Sequence, residues 1–206
     1  GDTNKLDMLI KNLPAGIATT APGALATLRE GTDRLREIVH SFELLIKVQG
    51  NDAIATSTVD LGTILSKARA KLTPQIASKN VRVMAPAAVL SVSAESEMAQ
   101  QVIDSIVSNA VDYSPAGGTV NVETRNLGDQ VQVRITDQGQ GISKDQLAHL
   151  FQPFVRADGK SAMDMSHGGF GINLYLDKLI MEKLGGTIEA ASAPGKGTAI
   201  TLTWPS

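Results

Sequence analysis

An amide and an aromatic ring stand four residues apart near the middle of the chain, at Asn109 and Tyr113. The apolar pattern of residues 95–113 predicts a helix, so these two side chains share one face of it. A carboxamide oxygen can help to hold a hydrated magnesium ion without adding charge, and a tyrosine ring can lie against a purine. Taken alone, the pair also fits an ordinary helix end with a packed tyrosine.

A carboxylate and two glycines follow the alternating segment 131–136, in the order Asp137, Gly139, Gly141 and then Ile142. A carboxylate at the end of a strand can accept a hydrogen bond from the exocyclic amine of adenine, which guanine does not present at that edge. Glycines allow the backbone to approach a ligand closely. An ordinary Asp-Gly turn has the same composition, so this motif alone decides little.

Two phenylalanines and an arginine come next, at Phe151, Phe154 and Arg156. The rings can anchor a loop, and the guanidinium can reach phosphate oxygens with its fork of donors. A second glycine group opens the last predicted helix, where free backbone N–H groups and the helix dipole favour phosphate. Its members are Gly168, Gly169, Phe170, Gly171 and Ile172.

The elements that position these residues are predicted from apolar periodicity and from turn residues. Residues 1–22 indicate a helical stub and a loop, because Pro14, Gly16 and Pro22 tend to end helices. Asp60 is expected to cap a helix that runs to about residue 79. Further helices are expected at 95–113, 146–151 and 170–184, and strands at 57–59, 81–84, 89–92, 119–125, 131–136, 187–191 and 198–204.

A long amphipathic helix is predicted at residues 23–49, where apolar residues recur at steps of three and four. Such a helix is roughly 40 Å long at 1.5 Å per residue. Its apolar stripe needs a partner, and a helix from a second chain is the economical answer.

Composition excludes several classes of protein. The net charge of −2 and the 3% aromatic content provide neither a basic patch nor many stacking rings, so we expect no nucleic-acid partner. The absence of cysteine rules out disulfides and thiolate chemistry. No apolar run approaches the roughly 18–20 residues of a membrane span. We therefore expect a cytoplasmic domain, and leave open an inner-membrane anchor in a longer parent protein.

Together the four motifs resemble the N, G1, F and G2 boxes of the histidine-kinase branch of a superfamily shared by gyrase, a heat-shock chaperone, sensor kinases and mismatch-repair ATPases. The turn 195–198 resembles the final G3 box, and the resemblance covers about residues 57–205. The helix that contains residues 28–49 looks like the second helix of the family's dimerisation and phosphotransfer domain. We therefore predict a partial dimerisation segment at 1–50 and an ATP-binding catalytic domain at 51–206.

The resemblance implies an α+β fold: a two-layer α/β sandwich of the Bergerat type, with a mixed sheet covered by helices, preceded by the long amphipathic helix. ATP or ADP would bind with Mg²⁺ beneath a lid at residues 143–168. The resemblance further implies that Asn109 helps to coordinate Mg²⁺, Tyr113 stacks on the base and Asp137 binds the adenine amine. The other implied nucleotide-binding residues are Gly139, Gly141, Ile142, Phe154, Arg156, Gly169, Phe170, Gly171 and Thr198, of which Arg156 would approach the triphosphate and Thr198 would support the base through water.

Two positions depart from the family pattern near the phosphates. Ser105 stands where a second asparagine is common, and Asp112 stands where lysine is common. The second departure reverses a charge. The family's phosphoacceptor, a histidine followed by an acidic residue, is also not evident: His40, His149 and His167 all lack that context. We expect the acceptor to lie upstream of this chain rather than to be missing from the parent.

The leading hypothesis is therefore a two-component sensor histidine kinase that moves the γ-phosphoryl of ATP to a histidine, acts as a homodimer and signals to a response regulator. A nucleotide-binding scaffold without catalysis remains an alternative. An ATP-hydrolysing clamp is less favoured, because those relatives carry a glutamate base at the position of Ser105 and a serine cannot replace it. A serine kinase of the anti-sigma type would not need the long helix.

Overall fold

The computed structural model describes residues 15–50, 53–86, 90–155 and 171–206. These form two compact units, one ending at Leu44 and one running from Leu45 to Ser206. Within the described ranges, none of the helices combines the length and the hydrophobicity that a membrane span requires.

The first unit is built on one long helix, α1, which spans Ala15–Gln49. The predicted loop before residue 23 is wrong over residues 15–22, because the helix already includes Gly16 and Pro22. The rest of the stub and loop predicted for residues 1–22 lies outside the described residues. A proline inside a helix removes one hydrogen bond at about 3 kcal/mol but does not forbid continuation. Alanines at positions 15, 18, 21 and 24 have the highest helix propensity and favour it.

A row of large apolar side chains on α1 is exposed. It consists of Leu28, Leu35, Val39, Phe42 and Ile46, which are between 49% and 72% accessible. Their spacing of three, four or seven residues places them along one side of the helix. The predicted amphipathic stripe is therefore present, and this side of it faces solvent.

The second unit begins with a short strand and a capped helix. Strand β1 spans Ser57–Asp60 and helix α2 spans Leu61–Lys71. The carboxylate of Asp60 accepts hydrogen bonds from the backbone of Gly62 and Thr63 at 2.9 and 3.1 Å, as the predicted cap requires. The helix does not run unbroken to residue 79. It restarts after Leu72 as α3, Thr73–Lys79, because Pro74 suits only the first turn of a helix.

The following elements supply the sheet and its covering helices. They are β2 (Arg82–Met84), β3 (Ser91–Ala94), α4 (Ser96–Tyr113), β4 (Thr119–Asn126), β5 (Gln130–Thr136), α5 (Lys144–Leu147), α6 (Asn173–Lys183), β6 (Thr187–Ser192) and β7 (Thr198–Pro205). Three predicted bounds shift: β3 lies two residues later than expected, α5 is shorter, and α6 starts at Asn173. A capping box between Ser143 and Gln146 sets the start of α5, two residues before the predicted one.

Five strands form one mixed sheet in the order β2-β4-β5-β7-β6. β2 runs parallel to β4, and the other neighbours are antiparallel. Strands β1 and β3 form a separate antiparallel pair. The alternation of β5 and β7 turns Val133, Ile135, Leu202 and Trp204 into the core, where each is at most 1% exposed.

Helices α4 and α6 pack against each other and cover this apolar side of the sheet. They contribute Ile103, Ile106, Leu176 and Ile180, all at most 1% exposed. The predicted α+β sandwich with a mixed sheet covered by helices is confirmed, and a long helix precedes it. The loops that carry the sequence motifs leave the sheet at the end of β5 and at the turn between β6 and β7.

Candidate functional site

Asp137 lies directly after β5 and is only 7% exposed. Its Oδ1 accepts hydrogen bonds from the backbone N–H of Gly139 at 2.7 Å and of Thr198 at 3.2 Å. No other residue in the described part of the chain donates to Oδ2. Burial raises the pKa of Asp137, and the backbone hydrogen bonds from Gly139 and Thr198 oppose that rise. One carboxylate oxygen is thus fixed in place, and the other remains available as an acceptor.

The two glycines after Asp137 are required by close backbone packing. A Cβ on Gly139 would lie 2.5 Å from the carbonyl oxygen of Tyr113. A Cβ on Gly141 would overlap the carbonyl oxygen of Ala193, and Gly141 has a φ of +72°. The close approach at both positions is therefore to the protein's own backbone. It holds the Asp137 loop against the end of α4 on one side and against the β6–β7 turn on the other.

A hydroxyl that no sequence pattern singles out ties these loops together. The Oγ of Ser192 accepts from the backbone N–H of Ile142 at 2.8 Å and donates to the carbonyl of Gly197 at 2.7 Å. It also lies 3.0 Å from the Oγ1 of Thr198. Since its single proton is used on Gly197, the hydroxyl of Thr198 donates in that contact. A serine at the end of an alternating strand was the only available signal.

Asn109 and Tyr113 lie on α4, as predicted from their spacing. Asn109 is half-buried, and Tyr113 is 42% exposed at the last turn of the helix. The helix ends here because Ser114 precedes Pro115 and adopts an extended conformation. The Ser114 hydroxyl donates to the Ala110 carbonyl oxygen at 2.7 Å. The structure thus brings Tyr113 beside the Asp137 loop, with which its carbonyl oxygen is in contact through Gly139.

A lysine from α3 occupies the same end of α4. The Nζ of Lys79 donates to the carbonyl oxygens of Val111 and Asp112, at 3.0 and 2.5 Å. Burial raises the pKa of the Asp112 carboxyl, while the charge of Lys79 and a hydrogen bond from Ser108 lower it. The cationic side chain of Lys79 therefore lies near Asp112, the acidic residue that departs from the family pattern. Only the fold reveals this contact, since Lys79 precedes Asp112 by 33 residues.

The chain on either side of residues 156–170 is held together. The N–H of Phe154 donates to the carbonyl oxygen of Gly171 at 2.9 Å. Both residues have positive φ, +64° and +70°, and a Cβ on Gly171 would lie 2.7 Å from the Val155 carbonyl oxygen. Phe154 is 63% exposed in this strained conformation. Of the predicted site residues, Arg156, Gly169 and Phe170 lie outside the described residues.

These observations define a nucleotide-binding sandwich of the kind expected from the sequence motifs. Residues 94–206 match the family described as "Histidine kinase-, DNA gyrase B-, and HSP90-like ATPase", and the chain belongs to that family. Domains of this family bind ATP. The free oxygen of Asp137 fits such a ligand, because it can accept a hydrogen bond from it.

The relatives place the chain in the sensor-kinase branch. The sensor-like histidine kinase SenX3 of Mycobacterium tuberculosis is 33% identical over 177 residues, which cover 84% of this chain and 42% of that protein. The chain thus spans less than half the length of this relative. The predicted class is confirmed: this is a catalytic ATPase domain of the histidine-kinase type, of the kind found in two-component sensor kinases, and the clamp and serine-kinase alternatives are not favoured.

Solved structures of sensor kinases share the fold. The mycobacterial sensor histidine kinase MprB superposes with a TM-score of 0.63 at 24% identity, covering 73% of this chain and 97% of that one. The Acinetobacter baumannii histidine kinase AdeS gives a TM-score of 0.72 at 18% identity, covering 98% of this chain and 92% of that one.

Proposed function

We propose that this chain binds Mg²⁺-ATP and presents its γ-phosphoryl group for transfer to a histidine in the protein to which it belongs. The observation that carries the proposal is the carboxylate of Asp137, which has one oxygen anchored by backbone donors and the other without a donor among the described residues.

The adenine end of the ligand is assigned to the Asp137 loop. The exocyclic amine of adenine would donate to Oδ2 of Asp137, whereas guanine presents a carbonyl oxygen at the same edge and would repel the carboxylate. Tyr113, which is 42% exposed and whose backbone carbonyl meets the loop at Gly139, would cover the base with its ring. Ile142 would supply an apolar contact, and the hydroxyl of Thr198 would reach the base through water.

The phosphate end is assigned to α4 and to the start of α6. Asn109 would hold Mg²⁺ together with phosphate oxygens and water, and the metal would neutralise charge on the transferring group. Backbone N–H groups of Gly169 and Gly171 would donate hydrogen bonds to the phosphate oxygens, with Arg156 approaching the triphosphate. Phe154 and Phe170 would flank the nucleotide at the two ends of the segment between them.

The rest of the assembly is proposed from α1. Its exposed apolar row would pack against the same row of a second copy, which makes the parent protein a homodimer. Residues 1–50 would be part of the dimerisation and phosphotransfer domain, residues 51–206 the catalytic domain, and a response regulator the downstream partner. The location would be cytoplasmic, with any inner-membrane anchor in other parts of the parent.

Calorimetry with the purified chain tests the proposal. We expect binding of ATP and ADP with Mg²⁺ and a strong preference over GTP. Asp137→Asn keeps the shape but places an amide where the carboxylate stood, so affinity for Mg²⁺-ATP should fall by at least about tenfold, or 1.4 kcal/mol. Thermal unfolding of the same variant checks that the loop remains folded. Equal ATP binding by the wild type and a folded Asp137→Asn variant would remove the adenine assignment.

A further inference from the structure

Helices α4 and α6 are joined by a buried polar contact that the functional assignments leave unused. The hydroxyl of Ser105 on α4 donates to Oδ2 of Asp177 on α6 at 2.5 Å. Ser105 is 8% exposed and Asp177 is 0% exposed. This contact joins residues 72 positions apart in the sequence, and it lies in the packed interface between the two helices.

The surroundings of Asp177 are apolar. Its neighbours on the same helix include Leu176, Ile180 and Met181, each 0% exposed, and its Oδ1 has no partner among the described residues. Burial raises the pKa of Asp177 well above its usual range, and the hydrogen bond from Ser105 opposes that rise without cancelling it. Burying a carboxyl group costs free energy that burying a leucine at the same position would not. Packing alone therefore does not explain an aspartate here.

The contact is close in sequence to both ends of the proposed phosphate site. Ser105 lies one helical turn before Asn109 and on the same face of α4. Asp177 lies one turn after the first residue of α6, Asn173, and six positions after Gly171. The hydrogen bond therefore links the turn of α4 that carries Asn109 to the turn of α6 that follows the glycines.

Apolar contacts alone allow two packed helices to slide or rotate slightly, because many neighbouring registers bury similar area. A hydroxyl and a carboxyl inside such an interface permit only the register in which they meet, since any other leaves both groups buried without a partner. The Ser105–Asp177 contact thus selects one placement of α4 relative to α6.

We propose that Asp177 is a positioning residue of the nucleotide site: acting through Ser105, it fixes Asn109 and the backbone at Gly171 at the separation that Mg²⁺-ATP requires. This inference rests on the proposed function. Asp177 does not touch the ligand, so its effect is confined to the phosphate end, and adenine recognition by Asp137 does not depend on it.

The test compares binding of Mg²⁺-ATP and of adenosine by calorimetry in four variants. Asp177→Leu and Ser105→Ala should each weaken Mg²⁺-ATP by about three- to tenfold and change adenosine by less than about twofold. Asp177→Asn retains an oxygen that accepts from Ser105 and should bind Mg²⁺-ATP as the wild type does. The double variant Ser105→Ala/Asp177→Leu should be no weaker than the weaker single variant, because both changes remove one contact.

Three results would overturn the inference. A folded Asp177→Leu variant that keeps the wild-type ratio of Mg²⁺-ATP to adenosine affinity would make the contact purely structural. Asp177→Asn could lose as much affinity as Asp177→Leu, or the single effects could simply add. If Asp177→Leu does not fold, Ser105→Ala and Asp177→Asn decide the matter. A wild-type chain that fails to bind Mg²⁺-ATP would instead refute the proposed function itself.

Discussion

At the scale of single residues, the C-terminal end of α4 combines two opposite charges. Asp112 has its carboxylate there, and Lys79 reaches in from α3 to cap the last carbonyl groups. A cation at a helix C-terminus is favourable, because it offsets the partial negative charge of the unpaired carbonyls. The ammonium of Lys79 also reduces the field that the Asp112 carboxylate would exert on a nearby phosphate.

We predict that Asp112→Lys tightens Mg²⁺-ATP by about fivefold, or about 1 kcal/mol, and leaves adenosine nearly unchanged, because only the nucleotide carries phosphate charge. Calorimetry with both ligands at low salt measures the difference. Glu123→Lys makes the same change in net charge on the exposed side of β4 and serves as the control. Equal changes for ATP and adenosine would place Asp112 away from the phosphates.

Residue types at motif spacing were enough to single out Asp137 and Tyr113, whose chain segments meet where Gly139 lies against the Tyr113 carbonyl oxygen. The part of Asn109 in the same site stays a prediction. Thr198 was expected to act through water, whereas its backbone N–H also donates directly to Asp137. Ser192, Lys79 and Asp177 were not predicted, because each acts through a partner distant in sequence. The sequence contains one sign of Asp177: this carboxylate interrupts the apolar face of its helix, where a charged residue is unexpected.

At the scale of elements, two loops meet through a glycine that has no room for a side chain. Gly141 has a φ of +72°, and its missing Cβ would overlap the Ala193 carbonyl oxygen in the β6–β7 turn. Gly195, in the same turn, also has a φ of +72° but has open space where its Cβ would be. Comparing alanine substitutions at Gly141 and Gly195 therefore distinguishes the cost of a left-handed backbone from the cost of steric overlap.

We predict that Gly195→Ala lowers the free energy of unfolding by about 1 kcal/mol, the cost of a left-handed alanine. Gly141→Ala carries the same cost plus the overlap, and should lose about 3 kcal/mol or more. Urea unfolding of both variants gives the comparison. Similar losses for the two would mean that the β6–β7 turn moves aside easily and does not hold the Asp137 loop.

Strands were easier to predict than helix ends. The period of two in β4, β5 and β7 survives in the sheet because one face must be buried. The start of α1 differs from the prediction because proline and glycine usually end helices, whereas here the alanines around them favour the helix. Conversely, Pro74 does divide the helix expected between Asp60 and residue 79, because a second helix starts at Thr73 and accommodates it.

At the scale of the whole molecule, stability should depend on pH through the buried acid of α6. The pKa of Asp177 is raised in the folded state above its unfolded value of about 3.9. The folded state therefore holds this proton more tightly than the unfolded state does. The contribution of Asp177 is fully present below about pH 4 and is lost as pH rises through the raised folded value. Asp137 and Asp112, whose pKa values are also raised, contribute with the same sign.

We predict that Asp177→Asn removes this part of the pH dependence, so that the variant gains stability relative to the wild type as pH increases from about 4. Urea unfolding at a series of pH values measures the difference between the two proteins. Parallel stability curves would show that folding does not change the pKa of Asp177.

A second prediction for the whole chain concerns its own phosphorylation. His40 is half-buried on α1 with Glu43 Oε2 4.0 Å from its Nδ1, and His149 is exposed after α5. Phosphoryl transfer needs an acceptor nitrogen held nearly in line with the γ-phosphate. We therefore expect no acid-labile, base-stable label after incubation with γ-labelled ATP. Substantial label that disappears in His40→Ala would identify an acceptor on α1 and contradict this expectation.

The fluorescence of Trp204 reports on the unfolding of only one of the two units. It is the sole tryptophan of the sequence, and it is fully buried in β7 within the unit from Leu45 to Ser206. Its emission reports exposure of the sheet core to water, whereas far-ultraviolet ellipticity also receives a large share from the 35 residues of α1. Transitions that coincide in both signals indicate that α1 melts with the sheet. An ellipticity loss that precedes the fluorescence change measures how far the long helix frays by itself.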